Sequence, residues 1–388
     1  MNILTLNKID PIVHEILKGY NVSDDCGDPV GILVRSAKMH DMAFPDSLLA
    51  IARAGAGVNN IPIERCAEEG IVVFNTPGAN ANAVKELVFA SLMMATRNLY
   101  EAIEWCKTLC GNPDAAALVE QGKKQFVGPE LKGKTMGVIG LGEIGVMVAN
   151  EAYAIGMNVI GFDPFITVDH AWKLSRAIEH ATSLEYLIKK SDFITLHVPL
   201  TDDTRGFFNE RLLALCKPTA MLLNFSRADV VDTKAVIQAL EEDRLAKYIV
   251  DFPTPEVICK KNVVAIPHLG ASTPEAEENC ARMAAKQLKE YIEYGNIVNS
   301  VNLPNCAMER SGAMRICLIH RNIPNMVGRI SAAVAQRNAN IANMMNRSRG
   351  NYAYTILDLD EDINNHLYDD LCAIDGMIRT RILKWQNA

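Results

Sequence analysis

The sequence predicts an α/β protein of two doubly wound, parallel-sheet domains followed by a small C-terminal α+β unit of ferredoxin-like type. At 388 residues the chain exceeds what one hydrophobic core ordinarily serves, so two or three domains are expected. Short runs that are apolar throughout recur between helical stretches, as strands buried on both sheet faces do. From Met314 to Leu383 the order changes to strand, helix, strand, helix, strand, which suits a small α+β sandwich.

The elements follow in chain order. Gly31-Ile32-Leu33-Val34 reads as a buried strand, Ser47 to Arg53 is short and apolar, and Gly70 to Phe74 is a strand ended by Asn75-Thr76-Pro77-Gly78. This is a small parallel unit. From Ala83 to Leu109 apolar residues repeat near 3.6 and predict helix. Gly111-Asn112-Pro113 and Gly122-Lys123-Lys124 mark a polar loop. Six apolar runs then succeed one another: Met136–Ile139, Asn158–Phe162, Phe193–Val198, Ala220–Phe225, Tyr248–Phe252 and Val263–Ile266. They predict a doubly wound sheet of Rossmann/flavodoxin-like type. Ser272-Thr273-Pro274-Glu275 opens a long helix to about Tyr294, with Ser272 or Thr273 as its cap. Asn302 to Arg310 reads as a linker. In the last unit a helix is expected over Val327 to Arg337 and a strand over Tyr352 to Leu359.

Composition narrows the function classes. Hydrophobic residues are 49% and charged residues 22%, with a formal net charge of −7, a soluble globular balance. Without a basic block, a nucleic-acid backbone is not the expected partner. Met1 to Pro11 holds no basic stretch followed by an apolar core, so a secretory signal is not expected, and no stretch of about 18 uninterrupted apolar residues predicts a membrane span. The ten cysteines form no CxxC pair and no Cys/His ligand spacing. A cytoplasmic protein with reduced thiols and no bound metal is expected.

Gly140-Leu141-Gly142-Glu143-Ile144-Gly145 is a GxGxxG. Its context gives it weight. A strand precedes it, an apolar helix from Val146 to Ile155 follows, and a second strand ends in Asp163, 18 residues after Gly145. Gly140 permits the tight turn, Gly142 keeps side chains from the pyrophosphate, and Gly145 allows close helix–strand packing. The helix N-terminus offers free N–H groups to the pyrophosphate. Asp163 is placed to hold the adenosine ribose and to repel a 2′-phosphate, favouring NAD over NADP.

Other strand exits carry chemistry. Arg227 follows Leu223-Asn224-Phe225-Ser226. Asp251 and Glu256 flank Phe252-Pro253-Thr254-Pro255. His268 follows Pro267 and precedes Leu269-Gly270. Open α/β sheets bind ligands at this edge. Oxidation of a secondary alcohol needs a base near neutral pH, and His268 suits it. A carboxylate on the other ring nitrogen favours imidazolium, and a bidentate Arg227 holds a carboxylate or carbonyl oxygen.

Across residues 1 to about 300 the chain resembles the D-2-hydroxyacid dehydrogenase family. The matching stretches are Arg53 to Ile61, Asn75-Thr76-Pro77, Phe126 through Gly145, Ser191 to Thr201, Asn224 to Asp232 and Pro267 to Ala276. Pro267-His268-Leu269-Gly270-Ala271-Ser272-Thr273 resembles the phosphoglycerate dehydrogenase branch. The C-terminal unit resembles an ACT domain, a fold that often binds amino acids between paired copies. His320-Arg321-Asn322-Ile323-Pro324 carries this likeness, with Asn340-Ile341 beyond it.

The resemblance implies a catalytic trio of Arg227, Glu256 and His268, with Asp251 near the nicotinamide carboxamide. It implies NAD contacts from Gly140, Gly142, Glu143, Ile144, Gly145, Asp163, Thr76, Val198, Pro199 and Gly270. Substrate contacts fall to Arg53, Ala54, Gly55, Ala56, Gly57 and Asn80, and effector contacts to His320, Asn322 and Asn340. Arg35 and Lys38 are candidate phosphate ligands or solvated surface charges. The implied domains are a substrate domain (1–95 with 272–302), an NAD domain (96–271) and an ACT domain (314–388). Relatives are dimers or tetramers. The expected reaction is NAD-dependent oxidation of 3-phospho-D-glycerate to 3-phosphohydroxypyruvate, restrained by serine. Alternatives are another D-2-hydroxyacid (glycerate/glyoxylate or 2-hydroxyglutarate) or an NAD-sensing binding protein like the corepressors that reuse this fold.

Several positions depart from the family. Arg227-Ala228-Asp229 replaces Arg-Gly-Gly, and Pro253-Thr254-Pro255-Glu256 replaces the usual acidic loop. Glu256 is identified by counting 29 residues from Arg227 without a gap, and the loop from there to His268 is short. Asn59 replaces a common Asp, Lys85 a frequent Ala, and Asn325 the usual Gly after Pro324, where Asn tolerates positive φ.

Overall fold

The structure is a computed structural model, and it describes residues 1–362 and 366–385. The chain divides into two compact units, residues 1–79 with 277–388 and residues 80–276.

The first unit holds two sheets. Strands β1 (Asn2–Leu6), β2 (Asn21–Ser23), β3 (Gly31–Val34), β4 (Ala50–Arg53) and β5 (Val72–Phe74) form a parallel sheet in the order β2-β1-β3-β4-β5. The central β3 is buried at every residue, which is why its run is apolar throughout.

The seven-stranded sheet belongs to the second unit. Its strands are β6 (Thr135–Ile139), β7 (Asn158–Phe162), β8 (Glu179–His180), β9 (Phe193–Leu196), β10 (Met221–Asn224), β11 (Lys247–Val250) and β12 (Val263–Ala265). All pair in parallel, in the order β12-β11-β10-β9-β6-β7-β8. The chain direction of the winding reverses between β6 and β9, and ligands bind at such a switch point. The predicted strands are present with ends that differ by at most two residues, while the two-residue edge strand β8 had no apolar run to announce it.

The other sheet of the first unit is antiparallel. Its strands are β13 (Met314–Arg321), β14 (Ile341–Arg349), β15 (Tyr352–Leu359) and β16 (Met377–Lys384), in the order β14-β15-β13-β16. With helices Met326–Gln336 and His366–Cys372 this is the ferredoxin-like arrangement. Asn325 takes φ +66°, the left-handed conformation that its substitution for Gly calls for. This sheet shares a core with the parallel one. Tyr291 of the helix Pro274–Tyr294 stands 5.9 Å from the Phe74 ring and 6.4 Å from the Tyr354 ring, centroid to centroid.

The same sheet closes the end of that helix. Arg381 donates to the carbonyls of Tyr291 (3.3 Å) and Ile292 (2.9 Å), Arg315 to Tyr294 (2.8 Å), and the Tyr354 hydroxyl to Gly295 (2.6 Å). The last carbonyls of a helix lack full partners within it, and three of these four are held by arginine, which suits the negative end.

Three expectations need correction. Strand β14 was not predicted, because its sequence, Ile341 to Arg349, is largely polar and it is an exposed edge strand. The continuous helix expected from Ala83 to Leu109 is two helices, Ala81–Thr96 and Leu99–Lys107, broken where Asn98 takes φ +49°. The polar loop beyond it contains a helix, Ala115–Gly122.

Candidate functional site

The glycine loop sits between β6 and the helix Glu143–Ala154. Gly140 has φ +90°, and a Cβ there would stand 2.7 Å from the His197 backbone. A Cβ on Gly145 would strike the Gly140 carbonyl, whereas Gly142 faces open space. The loop is therefore tight where it packs and clear at its middle glycine. No side chain caps this helix, so its first N–H groups stay available to an anion. These features fit the pyrophosphate of a dinucleotide.

Asp163 is fixed by backbone donors. Oδ2 accepts from Leu141 N at 2.8 Å and Oδ1 from Phe165 N at 2.8 Å. Each oxygen keeps further acceptor capacity. Glu143, in the loop, accepts from Lys173 and pairs with His170. Ile144 is half-buried behind it. Val198 packs toward Gly140, and the Pro199 carbonyl accepts from the Thr204 hydroxyl at 2.6 Å.

Arg227 leaves β10 on a braced turn. Asn224 Nδ2 donates to the Arg227 carbonyl (2.9 Å), and Arg227 Nη1 donates to the Ser226 carbonyl (2.7 Å). Ala228 stands in a 3-10 turn, so no glycine is required where the family has one. Asp229 pairs with Arg205 at 2.5 Å. The guanidinium carbon of Arg227 lies 5.1 Å from the centre of the Phe252 ring, and His268 lies 4.2 Å from it, centroid to centroid. Arg227 and His268 thus meet on one aromatic ring, and Phe252 was not among the predicted site residues.

His268 has φ +53°, costly for a residue with a Cβ and often found where function over-determines the backbone. Asp251 fixes the loop beyond it. Oδ1 accepts from Leu269 N at 2.7 Å and Oδ2 from Gly270 N at 2.9 Å. A Cβ on Gly270 would stand 2.8 Å from Asp251 Oδ2, so glycine is needed for the approach. Burial pushes the Asp251 carboxyl up, against the pull of those two N–H groups and of His268, and the net direction is upward. Thr273, not Ser272, caps the next helix, accepting from Ala276 N at 3.1 Å.

Glu256 stands apart. It is exposed on the short helix Pro255–Ile258, and among the described residues it has no hydrogen bond or ion pair with His268. Thr254 and the local backbone hold its carboxyl below the usual range. Asn80 precedes the helix Ala81–Thr96, and its side chain makes no capping bond.

In the first unit the segment Arg53 to Gly57 forms a loop braced from behind. Asn75 Nδ2 donates to the Ala56 carbonyl at 2.6 Å, and Gly55 N donates to Thr76 Oγ1 at 2.8 Å. Thr76 is fully buried, so its hydroxyl serves this loop. Gly55 has φ +148°, and a Cβ there would strike the Arg53 guanidinium. Ala54 is buried beside it. Arg53 Nε donates to the Arg35 carbonyl at 3.0 Å. Arg35 is ion-paired with Glu277 at 2.7 Å, and Lys38 is exposed, with no ion pair among the described residues.

His320, on β13, is buried with both nitrogens engaged, Nδ1 with the Arg321 carbonyl and Nε2 with Thr355 Oγ1, each at 2.9 Å. Burial holds its pKa below the ordinary value. Asn322 donates to the Gly350 carbonyl at 3.0 Å, and Asn340 to Asp360. Among the described residues no group of three or more His, Cys, Asp or Glu is placed to hold a metal, and no helix is long and apolar enough to cross a membrane.

Residues 89–270 match the model of the D-isomer specific 2-hydroxyacid dehydrogenase NAD binding domain. The chain is 31% identical to the D-3-phosphoglycerate dehydrogenase of Escherichia coli K12 over 354 residues, which are 87% of this chain and 82% of that one. It belongs to the D-isomer specific 2-hydroxyacid dehydrogenase family. The D-3-phosphoglycerate dehydrogenase of Methanocaldococcus jannaschii is 36% identical over 304 residues, 76% of this chain and 55% of that protein. This family member thus spans only about half the length of that relative. Among solved structures, the NAD+-bound 3-phosphoglycerate dehydrogenase of Entamoeba histolytica superposes with a TM-score of 0.60 at 28% identity, covering 78% of this chain and 98% of that one.

Proposed function

We propose that the chain oxidises 3-phospho-D-glycerate to 3-phosphohydroxypyruvate with NAD, under restraint by serine. The observation that carries the chemistry is the meeting of Arg227 and His268 on Phe252, in the unit that holds the glycine loop and Asp163. The substrate choice rests on likeness to D-3-phosphoglycerate dehydrogenases.

Bound NAD supplies the acceptor for the hydride that leaves the carbinol carbon. His268 takes the hydroxyl proton, and Arg227 steadies the oxygen as it becomes a carbonyl. Two features orient His268: the Phe252 ring and the Asp251 clamp on the next two N–H groups. Glu256 is our candidate for the acid that favours imidazolium. In this reading the Ala54–Val58 backbone takes the substrate carboxylate, and Arg35 and Lys38 take the phosphate. The C-terminal unit serves as an ACT domain, with serine displacing one of the internal bonds of His320. Residues 1–95 with 272–302, 96–271 and 314–388 act as substrate, NAD and regulatory domains, in a homodimer or homotetramer.

The test is NADH oxidation by the purified chain with phosphohydroxypyruvate and with a panel of other 2-keto acids, with and without serine. Preference for phosphohydroxypyruvate with inhibition by serine supports the whole reading. Preference for another acid overturns the substrate, indifference to serine overturns the regulation, and no turnover of any acid overturns the enzyme.

A further inference from the structure

Glu143 and its partners have no part in the hydride chemistry, yet they stand at the dinucleotide loop. Glu143 Oε1 lies 3.1 Å from His170 Nε2, and Lys173 Nζ lies 3.3 Å from Oε1 and 3.2 Å from Oε2. Both basic residues belong to the helix Val168–Lys173, which follows Asp163 closely in the chain. Asp163 in turn accepts from Leu141 N, two residues before Glu143. The ribose carboxylate and the Glu143–His170–Lys173 group are therefore tied to the same glycine loop, at the C-terminal ends of β6 and β7. Because a carboxylate only accepts, His170 Nε2 carries its hydrogen toward Glu143, and its Nδ1 is matched by Thr167 Oγ1 at 3.0 Å.

Basic side chains beside an adenosine ribose are what a 2′-phosphate seeks. Here they are present but engaged. We propose that Glu143 is a second determinant of NAD over NADP, holding His170 and Lys173 so that neither is free to bind a 2′-phosphate beside Asp163. The inference rests on the NAD reading above. Asp163 disfavours the phosphate by repulsion, and Glu143 disfavours it by occupying the cations that would offset that repulsion. The lysine is the mobile member, a charge on a flexible stem, and it is half exposed.

The short helix does not depend on Glu143 for its position. Thr167 caps it, accepting from His170 N at 3.2 Å. Asn150 ties its far end, donating to the Lys173 carbonyl at 2.8 Å and accepting from Ser175 N at 2.8 Å. Glu143→Gln should therefore leave the fold intact and release the two basic groups.

The test is equilibrium binding of NADH and NADPH to the full chain, read by nicotinamide fluorescence, for the wild type, Glu143→Gln and Glu143→Gln/Lys173→Gln. Glu143→Gln should raise the affinity for NADPH relative to NADH by about fivefold, the order expected of one partly exposed ion pair. Adding Lys173→Gln should return that ratio to its wild-type value. If Glu143→Gln shifts both dinucleotides equally, or the lysine substitution leaves the gain in place, the inference fails while the NAD reading stands. If the wild type binds neither dinucleotide, the NAD reading fails and takes the inference with it. A merely structural ion pair would alter the melting temperature and leave the NADPH/NADH ratio unmoved, which also overturns the proposal.

Discussion

The imidazole of His268 packs on the ring of Phe252, with centroids 4.2 Å apart and planes tilted by 45°. The same ring carries the Arg227 guanidinium at 5.1 Å. Phe252 lies just beyond β11, next to Asp251, which holds the two N–H groups after His268. One short segment therefore sets the position of His268 through side-chain and backbone contacts together.

Phe252→Leu follows from this relationship. Leucine keeps most of the apolar volume but offers no π face to the guanidinium and no ring for the imidazole. Each such contact contributes about 0.5–1.5 kcal/mol, and a displacement of the base on the order of 1 Å costs about a hundredfold. The expected kcat loss is between about tenfold and a hundredfold, with the melting temperature lowered by only a few degrees. Steady-state kinetics and thermal unfolding measure both. Full activity would mean that Phe252 merely fills space.

What the sequence shows and hides here has a physical pattern. Strands β3, β9 and β10 are buried at every residue, so their sequences are apolar throughout and legible. β14 faces solvent at a sheet edge, and a strand that buries little carries no apolar alternation to read. The break at Asn98 left a faint signal, since Asn is the residue that best tolerates left-handed backbone after Gly. The glycine loop and the strand-exit places of Arg227 and His268 were legible because they depend on local backbone. Phe252 was not, because a phenylalanine ending an apolar run looks like core. The Glu143 partners lie 27 and 30 residues away in sequence, and no local pattern announces a tertiary ion pair. Thr76 was read from family likeness, and the loop contact that occupies its hydroxyl exists only in three dimensions.

Glu256→Gln tests the candidate acid. In the oxidation direction His268 must be neutral to take a proton. A carboxylate that reaches it in the enzyme–substrate complex favours the imidazolium that forms as the proton is taken. Removing that charge should lower kcat by about tenfold and move the acid limb of the kcat profile, which reports the enzyme–substrate complex, to lower pH. An unmoved limb would remove Glu256 from the mechanism and leave the orientation of His268 to Phe252 and Asp251.

Asp251→Asn reads out a buried carboxylate. Burial raises the Asp251 pKa in the folded chain, against the pull of the Leu269 and Gly270 N–H groups and His268. A raised folded value means that the native state binds this proton more tightly than the unfolded chain, whose Asp titrates near about 3.9. The associated stability is complete below the unfolded value and is lost as pH rises through the folded one. Relative to Asp251→Asn, the wild type should therefore gain stability as pH falls from neutral through that window. Urea midpoints of the two proteins at several pH values give the difference. A wild type that loses stability relative to the variant over the same range contradicts the upward shift.

Arg315 and Asp358 test the grip on the helix end. Arg315 Nε donates to Asp358 Oδ1 at 2.6 Å and Nη2 to Oδ2 at 2.8 Å, with side chains only 1% and 0% exposed. Arg315→Met leaves Asp358 charged and buried, which costs about 3–5 kcal/mol. Arg315→Met/Asp358→Leu removes both charges and should recover more than half of that loss. Recovery stays incomplete, because Arg315 also donates to the Tyr294 carbonyl and Asp358 accepts from Ser311 N. Each buried group left unpaired costs about 1–3 kcal/mol. Chemical denaturation of the wild type, the single variant and the double variant separates the terms. If the double variant is no more stable than the single, the loss comes from the uncapped helix end and not from the stranded carboxylate.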